Sequence, residues 1–456
     1  MRIRVTSGGG ADGTLQVPGD KSIAHRWLIL AATAKGPSRL VGLPSALDVR
    51  STAACLAKVT VKPRPALDLW ARNAASGVEG GGSTWNVTSR ERSIDALEVE
   101  GEGRERVVEP SSELDCGNSG TTMRLLAGIA ASARFRSRLV GDESLSTRPM
   151  ERVAVPLRRM GAGVETTEGH APITVSGGPL FGIEHRLDVS TAQVKSAILL
   201  AGLAAEGETA VTEPAPTRDH TERALEALGA PLRRRNTTVA VSRFQHAGFE
   251  AKVPGDVSSA AFLLAAAALT GSGITIERVG LNPTRLGFLD VLARMGIDAE
   301  TTQTAEQLGE PIGRLRVAPG ARLRGTTVDG SELPAVIDEV PVLAVVAACA
   351  AGETRFLGAG ELRVKESDRL TLIAEGIRGL GGHAAAEGDD LVVAGGGLRG
   401  GVASSGGDHR LAMAFAVAGA GADAPCEIDG MEAAAVSFPG FLAALGSTGI
   451  SVEVLG

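Results

Sequence analysis

The chain has 456 residues, with 46 Lys+Arg against 53 Asp+Glu for a formal net charge of −7, and 43% of it is hydrophobic. That apolar fraction excludes intrinsic disorder, and the acidic balance argues against coating nucleic acid or anionic membrane while leaving room for a local cationic pocket. Aromatics are 3% with no tyrosine, which argues against stacking platforms for single-stranded nucleic acid, and the 60 glycines show no collagen-like repetition.

From the N-terminus, Met1–Val5 alternates polar and apolar like a strand and lacks an apolar signal core. Val17-Pro18-Gly19-Asp20-Lys21-Ser22 follows, a turn and helix cap ahead of an alanine-rich helix. The segment returns 236 residues later as Val253-Pro254-Gly255-Asp256-Val257-Ser258, again before an alanine-rich helix. Five further segments end an amphipathic helix on an apolar residue and then glycine: Met160-Gly161, Leu228-Gly229, Met295-Gly296, Leu380-Gly381 and Leu445-Gly446. Such a glycine suits a left-handed helix C-terminus. Most are followed by a strand, a turn and a second strand, as at 173–175, 239–241, 315–317 and 391–393. Each unit therefore reads β-α-β-α-β-β. A sixth copy is expected upstream, where 55–61 resembles a helix end without the glycine and 73–90 reads as an inserted loop. Six units in two halves replace the three domains that length alone suggests.

Several helix starts carry small polar residues and cations, and such ends favour anions through their free N–H groups and dipole. Gly117-Asn118-Ser119-Gly120-Thr121-Thr122-Met123-Arg124 is either an anion site or an ordinary capped helix. Lys21 and Arg26 open the first repeat helix, where the second repeat has Val257 and Phe262, so the fold unit does not require those cations. Thr191 and Gln193, in Ser190–Ser196, either bind oxygens or cap the helix. Arg363–Arg369 packs three cations and two acids into seven residues, and Gly407-Asp408-His409-Arg410 precedes an apolar helix. Both are either solvated faces or buried sites, and arginine is the natural bidentate partner of carboxylate and phosphate. Asp338 and Glu339 precede the apolar run 340–351, which places Asp338 as a partly desolvated general base or as a helix cap. That run and 260–269 are too short to cross a bilayer. Cys55, Cys116, Cys349 and Cys426 lie too far apart for a zinc or disulfide framework, so a cytoplasmic protein with reduced thiols is expected.

Eight motifs in order carry a resemblance: PGDKSIAHR (18–26), GNSGTTMR (117–124), RPM (148–150), AQVKSA (192–197), RDHTE (218–222), DEVP (338–341), RVKESDR (363–369) and GDHR (407–410). The chain resembles the 5-enolpyruvylshikimate-3-phosphate synthase family, the 3-phosphoshikimate 1-carboxyvinyltransferases of aromatic amino-acid biosynthesis. The resemblance implies an α/β protein of two inside-out domains, each with three βαβαββ units in pseudo-threefold arrangement. Residues 1–19 and 253–456 would form one domain and 20–252 the other, with helix N-termini converging on an interdomain cleft. The implied reaction transfers the enolpyruvyl group of phosphoenolpyruvate to the 5-hydroxyl of shikimate 3-phosphate, releasing phosphate through a tetrahedral intermediate.

By the same resemblance Asp338 is the base, Glu366 handles the proton at the methylene carbon, and Lys21 contacts both substrates. Gly120, Arg148, Gln193, Arg369, His409 and Arg410, with Lys21, would bind phosphoenolpyruvate. Ser22, Arg26, Thr191, Ala192, Gln193, Arg218 and Lys365, with Lys21 and Asp338, would bind shikimate 3-phosphate. No metal or cofactor, nucleic acid or membrane partner is implied; a monomer inhibited by glyphosate is expected, since Gly120 is the sensitive residue type. Two positions depart from the family. Thr191 stands where serine is common, and Val436 precedes Ser437 where some members carry a phosphate-contacting lysine. Two alternatives compete: a UDP-N-acetylglucosamine enolpyruvyl transferase, whose reactive cysteine is missing from 141–147 although Asp142 is present, and a non-catalytic phosphometabolite-binding homologue.

Overall fold

Short parallel strands, helices and hairpins recur in one order throughout the computed structural model, which describes residues 1–9, 13–60 and 96–455. Strand Arg136–Val140 pairs in parallel with Leu114–Asp115 and antiparallel with His170–Ser176, which in turn pairs antiparallel with Gly163–Thr167. The same four-strand order surrounds Glu208–Thr212, Ile274–Gly280, Glu353–Phe356 and Cys426–Asp429. A sixth sheet has three described strands, Lys35–Val41 between Glu250–Lys252 and Ala96–Glu102. The predicted insertion 73–90 lies outside the described residues.

Two helices accompany each sheet: α1 (Lys21–Thr33) and α2 (Leu47–Val59), α3 (Gly120–Ala130) and α4 (Glu151–Arg159), α5 (Ala192–Gly202) and α6 (His220–Ala227). The pattern continues with α7 (Val257–Thr270) and α8 (Gly287–Arg294), α9 (Val340–Ala348) and α10 (Arg369–Gly379), α11 (His409–Ala418) and α12 (Phe441–Gly446). The α/β class and its repeated βαβαββ unit therefore hold. In the amphipathic α4, α8 and α10 one face is buried, whereas α7, α9 and α11 are buried nearly all round. This follows from sequence, since an apolar run without a polar face has to sit inside its layer of sheets.

Contacts divide the chain into two units. The first comprises Met1–Pro18, Pro254–Glu306 and Pro311–Gly456, and the second Gly19–Val253 with Gln307–Glu310. In the first, α7, α9 and α11 pack on one another; in the second, α3 packs on α5 and on α1. The turn Gln307–Glu310, expected with 253–456, groups with the second unit because its polar groups are bonded there. His220 Nδ1 lies 2.7 Å from Glu310 Oε1, Arg223 Nη1 donates to Gly309 O at 3.0 Å, and Lys252 N donates to Gln307 Oε1 at 3.1 Å.

Four of the helix-ending glycines are left-handed: Gly161 (φ 112°), Gly229 (85°), Gly296 (93°) and Gly381 (75°). The fifth expectation fails. Gly446 is the last residue of α12, and the left-handed residue is Gly449 (φ 87°), after a turn in which Thr448 Oγ1 donates to Leu445 O at 2.7 Å.

One buried histidine sets a pH dependence. Among the described residues His185 has no hydrogen-bond partner on either ring nitrogen, and burial, then the charge of Arg159, pull its pKa down to about 4. The unfolded chain takes up this proton near ~6.5 and the folded chain only near 4, so acidification across that window favours unfolding. The variant His185→Leu should lose one proton's share of that slope. Urea titrations at neutral and acid pH check this, and an unchanged slope would contradict it.

Candidate active site

In the first unit the short turn 333–336 and α9 leave Asp338 in the link between them, with α9 beginning after Glu339. Asp338 is therefore not the cap of that helix, and its carboxylate is taken by arginines instead. Asp338 Oδ2 lies 3.2 Å from Arg410 Nη2 and Oδ1 lies 3.6 Å from Arg369 Nη1, while Arg410 Nη1 donates to the Asp338 carbonyl at 3.1 Å. Arg369, the first residue of α10, is buried and also holds Glu366 Oε2 at 2.6 Å and Asp408 Oδ2 at 2.7 Å. Asp408 caps α11, accepting from Arg410 N at 2.8 Å, and accepts from Ser367 Oγ at 3.1 Å. His409 opens α11 and is buried, and Lys365 is half-buried beside Glu366.

Electrostatics keep Arg369 and Asp408 ionised. Burial would lower the pKa of Arg369, but Asp408, Glu366 and Asp338 together raise it. Burial likewise opposes ionisation of Asp408, yet Arg369 and then His409 hold its carboxyl below the usual range. The segments 363–369 and 407–410 are thus not solvated faces. With Asp338 they gather two arginines and three carboxylates into one largely buried cluster.

In the second unit Asp20 caps α1 by accepting from Ile23 N at 2.9 Å, which leaves Lys21 in the first turn. Lys21 Nζ lies 2.8 Å from Asp48 Oδ2, with both side chains largely buried. Arg26 is buried too: it donates to the Ser22 carbonyl at 2.8 Å, to Thr221 Oγ1 at 2.8 Å and to Ser196 Oγ at 3.0 Å. Burial is the main cause that lowers its pKa to about 10, and the nearby charge of Arg218, half-buried before α6, adds to that fall. Two guanidinium groups that repel one another are suited to an anion. At the equivalent place in the first unit, Phe262 fills the core against Phe441, with ring centroids 6.0 Å apart.

Gly120 is the first residue of α3, whose cap Ser119 accepts from Thr122 N at 3.1 Å. A Cβ added at Gly120 would lie 2.7 Å from Arg124 Nη1 and 3.5 Å from Arg148 Nη1, so the missing side chain leaves room for two guanidinium groups. Arg124 donates to Gln193 Oε1 at 2.6 Å, and Gln193 Nε2 donates to Thr121 Oγ1 at 2.9 Å. Arg148 donates to Asn118 Oδ1 and, at 3.2 Å, to Ser144 Oγ. Thr191 stands at the cap position of α5 without a side-chain cap bond, and Ala192 is its first residue. Asp142 is occupied as a cap, accepting from Leu145 N at 2.8 Å and from Asn118 Nδ2 at 2.7 Å.

Each unit thus gathers its own share of the candidate residues: Asp338, Glu366, Arg369 and Arg410 in one, Gly120, Arg148 and Gln193 in the other, with Lys21 on Asp48. Sequence reasoning missed Arg124, Asp48 and Asp408. Arg124 had a signal, since it stands four residues after Gly120 on one helix face. Asp48 had none, because its pairing with Lys21 is purely tertiary.

Comparison with known proteins agrees with this chemistry. The family model described as EPSP synthase (3-phosphoshikimate 1-carboxyvinyltransferase) matches residues 5–66 and 84–445. A 3-phosphoshikimate 1-carboxyvinyltransferase of Halorhodospira halophila is 46% identical over 458 residues, covering 99% of this chain and 97% of that protein. One from Desulfitobacterium hafniense is 45% identical, covering 96% of each. The solved EPSP synthase of Acinetobacter baumannii superposes with a TM-score of 0.82 at 38% identity, covering 99% of this chain and 100% of that one. The chain belongs to the EPSP synthase (3-phosphoshikimate 1-carboxyvinyltransferase) family.

Proposed function

We propose that this chain transfers the enolpyruvyl group of phosphoenolpyruvate to the 5-hydroxyl of shikimate 3-phosphate, with Asp338 as base and Glu366 as the acid at the methylene carbon. The observation that carries the residue roles is the buried Arg369 guanidinium, with Glu366 at 2.6 Å and Asp338 at 3.6 Å. Two carboxylates at one fixed cation provide the separate proton acceptor and donor that an addition to an enol carbon needs.

In the first step Asp338 takes the hydroxyl proton as oxygen bonds to the central enol carbon, and Glu366 protonates the methylene to a methyl group. In the second, Glu366 removes a methyl proton, the double bond re-forms, the carbon–oxygen bond to phosphate breaks, and Lys21 assists protonation of the leaving phosphate. Lys21, Gly120, Arg148, Gln193, Arg369, His409 and Arg410 hold phosphoenolpyruvate. Lys21, Ser22, Arg26, Thr191, Ala192, Gln193, Arg218, Asp338 and Lys365 hold shikimate 3-phosphate. Charge neutralisation by preset arginines and positioning supply most of the rate. No helix among the described residues is long and apolar enough to cross a membrane. We place the reaction in the cytoplasm and assign it to a monomer.

The alternative acceptor is disfavoured by the names of the relatives and by Asp142, whose carboxylate is tied up in capping. Turnover with shikimate 3-phosphate and none with UDP-N-acetylglucosamine is the expected assay result; the reverse would overturn the reading.

Glyphosate should inhibit the wild type, and Gly120→Ala should relieve that inhibition at the expense of phosphoenolpyruvate affinity. The added methyl group must displace Arg124, whose Nη1 lies 2.7 Å from its position, and crowd Arg148. Losing one charge-assisted contact corresponds to a KM rise of roughly 10-fold. Inhibition curves of both proteins check this; undiminished wild-type turnover at high glyphosate contradicts it.

A further inference from the structure

Lys195 lies in the first turn of α5, four residues after Thr191, and faces the interior with its side chain 3% exposed. Both circumstances oppose a cation there. Helix N-termini favour negative charge, and a buried ammonium is costly unless paired. The pairing is double: Nζ lies 2.7 Å from Glu213 Oε2 and 2.8 Å from Glu222 Oε1, both carboxylates being buried. Burial works to lower the lysine's pKa, but Glu222 and Glu213 raise it, so the group is charged. A well-packed apolar side chain would serve stability as well or better. What it would not do is tie α5 to the two segments that follow it.

Those segments carry Arg218 and bond to Arg26 of α1, the two arginines assigned above to shikimate 3-phosphate. Lys195 Nζ donates to the Thr217 carbonyl at 3.4 Å, immediately before Arg218, and Thr217 Oγ1 donates to Glu213 Oε1 at 2.7 Å. Ser190 closes the same loop, donating to Ala215 O at 2.9 Å and accepting from Ala215 N at 2.8 Å. Beside that ion pair, Ser196, one residue after Lys195, and Thr221, one residue before Glu222, bond to each other at 2.8 Å and both accept from Arg26. Two consecutive residues of α5 therefore face two consecutive residues of α6, one pair ionic and the other cradling Arg26. Glu222 is the strongest favourable charge acting on Arg26.

We propose that Lys195, acting through Glu213 and Glu222, is a positioning residue of the shikimate 3-phosphate subsite, holding Thr191, Ala192, Arg218 and Arg26 in one fixed arrangement. This rests on the reading that those residues bind that substrate.

The experiment compares the full-length wild type with Lys195→Met, Lys195→Arg and Glu213→Gln by calorimetric titration with shikimate 3-phosphate and by KM for each substrate. Lys195→Met should weaken shikimate 3-phosphate about 10- to 100-fold while KM for phosphoenolpyruvate stays within about 3-fold, and Lys195→Arg should recover most of the loss. Should Lys195→Met fail to fold, Glu213→Gln, which keeps the Glu222 pair, should give the same selective loss at roughly 3- to 10-fold. Unchanged shikimate 3-phosphate affinity, or equal weakening of both substrates, overturns the proposal. Arg218→Ala separates the two claims: if it leaves the affinity unchanged, the subsite reading itself fails; if it weakens binding and the Lys195 variants do not, only this inference fails.

Discussion

Replacing Asp338 by alanine should lower kcat by about 10²- to 10⁴-fold, the range expected for loss of a general base, with phosphoenolpyruvate binding kept and shikimate 3-phosphate binding largely intact. Arg410 lies 3.2 Å from this carboxylate and Arg369 3.6 Å, so its removal frees cationic donors instead of deleting any. Affinity for the anionic phosphoenolpyruvate should therefore hold or tighten. Asp338→Asn keeps the shape and an acceptor for both arginines but is not basic, and it should be nearly as slow as the alanine variant. Steady-state kinetics beside calorimetric titration check the split. A kcat within about 3-fold of wild type, or a loss confined to KM, would contradict the role given to Asp338.

Replacing Asp408 by alanine should strongly destabilise the first unit. Arg369 and Asp408 are both almost fully buried, and breaking such a pair costs about 3–5 kcal/mol because a buried charge is left behind. The same carboxylate caps α11, a role worth about 1 kcal/mol elsewhere. Glu366 still holds Arg369 at 2.6 Å, so the lower end of that range is expected. The acid dependence follows by sign. The folded pKa of Asp408 lies below its ordinary value of 3.8, so its contribution is complete above that value and disappears as pH falls through the folded pKa. Asp408→Asn should keep much of the cap yet lack this share of acid destabilisation. Denaturant titrations at neutral and acid pH check both variants, and an alanine variant within about 1 kcal/mol of wild type would contradict the account.

The repeat was legible because its signals are local. A left-handed glycine after an apolar helix end marks Gly161, Gly229, Gly296 and Gly381 without any tertiary knowledge. The same cue misled at Gly446, where the helix runs through the glycine and the chain turns left-handed at Gly449. The kind of chemistry was also legible, since cations and carboxylates cluster at 363–369 and 407–410 beside core helices. Their partnerships were not. Arg369 and Asp408 are 39 residues apart, as the hydrogen bond between them records, and Lys21 and Asp48 are 27 apart. No helix or strand period links positions at such separations. Lys195 belongs to the AQVKSA motif, but no local signal marks its burial, which depends on Glu213 and Glu222 around it. The turn Gln307–Glu310, expected with 253–456, groups with the second unit through bonds to His220 and Arg223 that are likewise tertiary.

Phosphate release measured with each substrate alone and with both together tests the central claim most directly. The account predicts continuous release only when phosphoenolpyruvate and shikimate 3-phosphate are both present, with one enolpyruvyl product formed per phosphate and the signal lost in Asp338→Ala. No release with both present, or release from phosphoenolpyruvate alone at the same rate, would contradict it.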